Sequence, residues 1–226
     1  MAKEITISAR KLTISLLLIA LGLTAAHIIV MFIWYLDLLP INDWTYLAFF
    51  DLDEEESIGT WFSALILFTA AQLSLLNAYY AHGNPEARCL GWLFLAIGFT
   101  LLSLDEIAGF HEFVNTVVED THWTTFGLII VVITGLVYLP FLWSLPIHIR
   151  CLLIVSGIIY IGGAVGVERA TIWYEDNDQL DTLAYNLWNA LEELMEMSGV
   201  ILYIYTLLNY VAENVATQRQ PIRYNT

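Results

Sequence analysis

The chain has 226 residues, 58% of them hydrophobic and only 14% charged, with a net charge of −15 from 8 Lys+Arg against 23 Asp+Glu. Its mean hydropathy is +0.67, whereas a soluble domain is about 45–50% apolar and about 25% charged. These values exclude a soluble enzyme and a nucleic-acid binder, whose phosphates so acidic a chain would repel, and the 8 Trp, 12 Tyr and 11 Phe exclude a disordered acidic chain.

Six apolar stretches follow one another at 14–35, 60–80, 89–110, 125–145, 151–174 and 183–210. Each is near or above the roughly 20 residues that cross a bilayer. They predict one all-α domain over 1–226, a polytopic six-helix bundle in contact with lipid. The first stretch follows Lys3, Arg10 and Lys11 but stays apolar through Trp34, beyond the about 7–15 residues of a secretory signal core, so it reads as a retained helix. The connection 36–59 holds Pro40, Trp44, Tyr46, Phe49, Phe50 and a dense acidic run. Its aromatics suit the headgroup layer, so it is expected to lie along the membrane surface. Whether it closes over the bundle as a lid stays open. The last stretch is longer than a bilayer needs and is expected to tilt or protrude.

Lys3, Arg10 and Lys11 precede the first stretch, Arg88 and Arg150 lie in the second and fourth connections, and Arg219 and Arg223 follow the last. With six spans these share one side, and only Arg169 of the 8 basic residues falls on the other. By the positive-inside rule both termini are cytoplasmic and the acidic side faces out, as expected in a bacterial inner (plasma) membrane. Cys89 and Cys151 then begin their spans at the cytoplasmic face, where thiols stay reduced.

The acids are as asymmetric as the bases. All of the 23 except Glu4, Glu86 and Glu213 fall on the outer side. Many are solvated loop residues, but some lie deep. Asp105 and Glu106 come about 16 residues, or about 24 Å, into their stretch, and Glu168 is at a similar depth. Glu192, Glu193 and Glu196 enter the last stretch from outside, His111 and Glu112 cap the third, and Glu54-Glu55-Glu56 precede the second. Four helices thus bring carboxylates to one level. Asp105 and Glu112, seven apart, share a helical face, as do Glu192 and Glu196. Gly162 and Gly166 form a small-xxx-small pair suited to close packing.

An acid near a helix centre costs about 2.5–3.5 kcal/mol on insertion scales. Crowded acids also repel, so protons, water in a cavity or a cation must offset them. Arg169 and His111 are too little counter-charge. A divalent metal ion is therefore expected, with Asp105, Glu112, Glu168, Glu192, Glu196 and Glu56 as candidate ligands and His111 and Glu106 as candidate acid/base groups. An oxygen-rich set suits Ca²⁺, Mg²⁺ or Mn²⁺, and Zn²⁺ if His111 joins two carboxylates. His111 is about 100° from Glu112 on an ideal helix, so it reaches that site only if the helix end unwinds. The bland readings stand beside these. Glu54–Glu56 offset a helix dipole next to a Ser57 or Thr60 cap, His27 bonds a facing helix, and His122 and His148 are loop residues.

Three strings carry a resemblance: Phe49-Phe50-Asp51-Leu52-Asp53-Glu54 with Thr60-Trp61-Phe62-Ser63, Leu102-Ser103-Leu104-Asp105-Glu106 with His111-Glu112, and Leu191-Glu192-Glu193-Leu194-Met195-Glu196-Met197. From the second span to the sixth, the chain resembles a group of small, uncharacterised multi-pass bacterial membrane proteins, a resemblance that implies no activity. Ceramidase-like membrane hydrolases use several histidines around zinc, and here only His111 is suitably placed. No hydrolase elbow, zincin or phosphate-loop motif is present. The leading expectation is an outward-facing divalent-metal site, with metal-activated water hydrolysing an amphiphile at the outer leaflet. The alternatives are a cation or proton transporter, and a non-catalytic accessory subunit that docks a membrane-protein partner; the oligomeric state is not legible.

Overall fold

In a computed structural model the described residues are 8–40, 43–54, 56–81, 86–110 and 122–218. Helix α1 spans Ala9–Tyr35, the one-turn α2 Thr45–Ala48, α3 Ile58–Tyr80, α4 Glu86–Ala108 and α5 Trp123–Ser144. Helix α6, Ile147–Ile161, runs through a π-helical turn at Gly162–Val167 into α7, Glu168–Asp176, and α8 spans Leu183–Gln218. Six helices are long and apolar enough to cross a membrane, with α6, the π-turn and α7 forming one of the six crossings. All the described regular structure is helical.

The helix ends follow from local chemistry. Ser8 Oγ accepts from Lys11 N–H at 3.4 Å and Ser57 Oγ from Thr60 N–H at 3.1 Å. Ser57 rather than Thr60 is thus the cap of α3, and such a cap contributes about 1 kcal/mol. Just ahead of α2, Asp43 Oδ1 accepts from Thr45 N–H at 3.0 Å. Lying outside the membrane, its carboxyl is held below the ordinary range by the Thr45 hydroxyl and amide. Helix α4 stops at Ala108 because Gly109 turns to φ 56°, its N–H reaching back to Asp105 O at 2.8 Å. This left-handed ending suits glycine. The expectation that Asp105 and Glu112 share one helical face turns on a residue that the structure does not describe. His111 and Glu112 lie outside the described residues.

The core lies along α3 and α8, the two most buried spans. Small residues such as Gly59, Ser63, Ala64, Ala70, Ala71 and Ala78 are buried on α3. They let α4 approach closely enough for Ser103 Oγ to donate to Ala64 O at 2.8 Å. Ile66 and Leu67 of α3 meet Ile201, Ile204 and Leu207 of α8 and Trp92 of α4 in one apolar cluster. Helix α5 is peripheral. It seats Phe141 over Gly91, where a Cβ would fall 2.1 Å from the ring, and edge-on to Trp92 with centroids 5.0 Å apart. Elsewhere Ile130, Ile133, Leu136 and Val137 are exposed, as a lipid-facing surface requires.

Antiparallel neighbours put Arg88 and Arg150 at one end, while Arg169 lies at the other, where its Nη1 is 3.5 Å from Thr125 Oγ1. Arg88, at the start of α4, donates to Ser144 O. Arg150 of α6 donates to Leu142 O at 3.0 Å and to Trp143 O and Leu145 O at 3.1 Å, and lies over the Trp143 ring. Both arginines thus satisfy the carbonyls at the C-terminus of α5, where the helix dipole favours positive charge. His148 pairs with Glu213 of α8 at the same end.

Candidate functional site

The opposite end holds a cavity of about 510 Å³. Its wall takes Asp53 from the segment before α3, Asp105 and Glu106 from the last turn of α4, and His122, Trp123 and Thr124 from the start of α5. Tyr160 of α6, Glu168 and Glu175 of α7, and Tyr185, Asn189, Glu192, Glu193 and Glu196 of α8 complete it. Eight carboxylates therefore line one space, and no lysine or arginine is among its described lining residues. Glu106 faces Glu193 and Glu196 across the α4–α8 gap. Glu192 faces Glu168 and Asp53.

Polar neighbours orient these acids. Asn189 Nδ2 donates to Asp53 Oδ1 at 2.8 Å, Trp123 Nε1 donates to Glu168 Oε1, and the Tyr160 hydroxyl bonds Glu196. At the rim, His122 Nδ1 stands 3.0 Å from Glu175 Oε2 and its Nε2 stands 3.5 Å from Asp176 Oδ1. Among the described residues, two polar atoms of the lining have no hydrogen-bond partner: Thr124 Oγ1 and Asn189 Oδ1, both buried.

Glycines make the convergence possible. A Cβ at Gly163 would lie 2.8 Å from Glu192 O and 3.0 Å from Glu196 Cγ, and one at Gly199 would lie 2.7 Å from Tyr160 N. Each helix thus offers a glycine to the other's backbone, and Ser156 Oγ donates to Gly199 O at 2.8 Å. The π-turn that contains Gly163 adds a residue to the helical repeat immediately before Glu168, and such turns recur at functional sites. Gly166 has no neighbour nearer than Ile161 O at 3.9 Å. Gly162 packs against Met195, whose Cε a Cβ there would meet at 2.9 Å, but the close approach to backbone is made by Gly163 and Gly199 across the two helices.

A family model described as a domain of unknown function, DUF8692, matches residues 16–210. The chain belongs to this family. No curated protein and no solved structure matches the chain. The DUF8692 region includes every carboxylate of the cavity and both arginines of the opposite end, and agrees with a resemblance that implies no activity.

Of the residues singled out from the sequence, the structure of this DUF8692 chain brings Asp105, Glu106, Glu168, Glu192 and Glu196 to the cavity. Glu56 is exposed and is not among the lining residues; Asp53, three positions earlier, takes that place. Among the described residues, no three His, Cys, Asp or Glu side chains are placed to hold a metal ion. Asp53, His122, Thr124, Tyr160, Glu175, Tyr185 and Asn189 are the lining residues that sequence reasoning passed over. The expectation that His27 bonds a facing helix holds: it is fully buried and its Nε2 meets Asn186 O of α8 at 3.0 Å.

Proposed function

We propose that this membrane protein binds a cation in the acidic cavity, which opens on the side of the membrane opposite Arg88 and Arg150, the outside by the positive-inside rule. The observation that carries the reading is the lining itself: eight carboxylates from four parts of the fold and no described lysine or arginine. Carboxylates gathered away from bulk water repel one another, and a bound cation relieves that repulsion.

A divalent metal ion is the narrower form of this proposal. Asp105, Glu168, Glu192 and Glu196 would have to close on it, with Glu112 from outside the described residues. A metal-activated water there would support hydrolysis of an amphiphile, with Glu106 or His111 managing the proton. Transport is a second reading, favoured by buried polar groups in the half of the bundle away from the cavity. Ser74 Oγ and the Tyr203 hydroxyl bond at 2.7 Å, and among the described residues Asn77 Oδ1 and Trp92 Nε1 are buried without a partner.

The test is ligand-dependent stability of the full chain in detergent, with Ca²⁺, Mg²⁺, Mn²⁺, Zn²⁺ and small ammonium ions at matched ionic strength. A cation present at 100 times its Kd stabilises the folded state by about 2.7 kcal/mol. That gain should vanish in a Glu106→Gln/Glu193→Gln/Glu196→Gln variant that still folds. If no cation raises the unfolding temperature above the ionic-strength control, the reading fails. Cation flux into proteoliposomes separates transport from binding alone.

A further inference from the structure

The cavity carries, beyond its charge, a set of acceptors that points to a kind of cation. Asn189 is 7% exposed and Thr124 1% exposed, and both line the cavity. The Asn189 amide has a defined orientation, because Nδ2 donates to the Asp53 carboxylate at 2.8 Å. Its oxygen is then the end left over, and among the described residues neither Oδ1 nor Thr124 Oγ1 has a hydrogen-bond partner. Buried polar groups are normally satisfied, so these two atoms call for a donor that enters the cavity. A carbonyl oxygen accepts only, so the ligand must bring N–H or O–H.

Size argues in the same direction. About 510 Å³ lies within the roughly 300–1,000 Å³ of small-molecule sites and far exceeds the space a bare ion occupies. Among the described residues no three ligating side chains are placed around one ion. Trp123, Tyr160 and Tyr185 stand in the wall, and aromatic faces attract ammonium groups. An alkylammonium offers three donors at one charged nitrogen.

We propose that the ligand is a protonated organic amine, its charge met by Glu106, Glu192, Glu193 and Glu196 and its N–H groups by Asn189 Oδ1 and Thr124 Oγ1. This rests on the cation reading above and deepens it. The amine is either a free di- or polyamine or the headgroup of an amine-bearing lipid.

Calorimetric titration of the full chain in detergent tests this with 1,4-diaminobutane and its fully N-methylated analogue, which keeps both charges and has no N–H. The primary diamine should bind at least tenfold more tightly. Thr124→Val, which removes the hydroxyl at nearly constant volume, and Asn189→Leu should each erase most of that preference. If Asn189→Leu does not fold, Thr124→Val alone decides. Nanodiscs of phosphatidylethanolamine and of phosphatidylcholine distinguish the sources. Weakened diamine binding only in the former assigns the lipid amine, and equal binding in both assigns a free amine. Equal affinity for the methylated analogue overturns the proposal. Binding of Ca²⁺ or Mn²⁺ without binding of amines overturns it while leaving a cation site. Binding of no cation at all removes both readings.

Discussion

His27 is fully buried in α1, yet both of its ring nitrogens are engaged. Leu52 N–H lies 3.0 Å and Asp51 Oδ1 3.2 Å from Nδ1, and Nε2 faces Asn186 O at 3.0 Å; partners of this kind set the tautomer. Asp51, beside the ring, accepts from Asp53 N–H at 3.0 Å, and Asn189 holds the Asp53 side chain. One imidazole thus anchors the segment that carries Leu52 and Asp53 over the cavity. His27→Ala should cost about 2–4 kcal/mol, from a stranded buried N–H and a small cavity. Faster proteolysis between residues 49 and 57 should accompany the lower unfolding temperature; unchanged stability and cleavage would show that the segment is held elsewhere. At the same scale, Asp53→Asn should weaken cation-dependent stabilisation several-fold, while Glu56→Gln leaves it unchanged, read in the same thermal titration. The depth of Asp105, Glu168 and Glu196 was legible because depth follows from counting along an apolar stretch. The choice of Asp53 over Glu56 was not, because it depends on a histidine 26 positions away in sequence.

Helices α6 and α8 approach through glycines, and a membrane offers little hydrophobic drive to bring helices together. The fit is therefore sensitive to a single methyl. A Cβ at Gly199 would lie 2.7 Å from Tyr160 N and 2.9 Å from Tyr160 Cα, backbone atoms that cannot swing aside. Gly157 has nothing within 4 Å of its Cβ position. Gly199→Ala should then destabilise by about 1–3 kcal/mol, as overpacking does. Gly157→Ala should be neutral or stabilising by up to about 1 kcal/mol, since alanine is the better helix former. Thermal denaturation of the two variants side by side checks this, and equal losses would mean that the contact at Gly199 is not what joins the helices. Spans were the most legible feature of the chain, because crossing a bilayer requires only a run of apolar residues. The π-turn left no such mark. It shifts the helical register by one residue before Glu168, so the spacing of Gly162 and Gly166 suggested a packing pair that the folded chain makes with Gly163 and Gly199. Gly109 likewise left no mark in the sequence pattern of the positive φ that makes it a terminator.

Across the whole molecule, charge is sorted along the bundle axis. Arg88 and Arg150 close the carbonyl end of α5 at one pole, and eight carboxylates surround a cavity at the other. A membrane protein with this polarity has a preferred insertion, because basic residues near span ends stay on the cytoplasmic side. The proposed orientation decides which solution supplies the cation, so it bears on function as well as topology. Cysteine labelling reads it directly. Gln179 is exposed in the turn between α7 and α8, at the acidic pole, and Cys151 is exposed next to Arg150 at the basic pole. In intact cells a membrane-impermeant maleimide should label Gln179→Cys placed in a chain with Cys89 and Cys151 changed to Ser, and should miss Cys151 in the native chain. Permeabilised cells should label both. The reverse pattern would turn the cavity toward the cytoplasm, making its ligand an intracellular cation. It would also mean that the two arginines serve the α5 carbonyls alone and carry no topological signal.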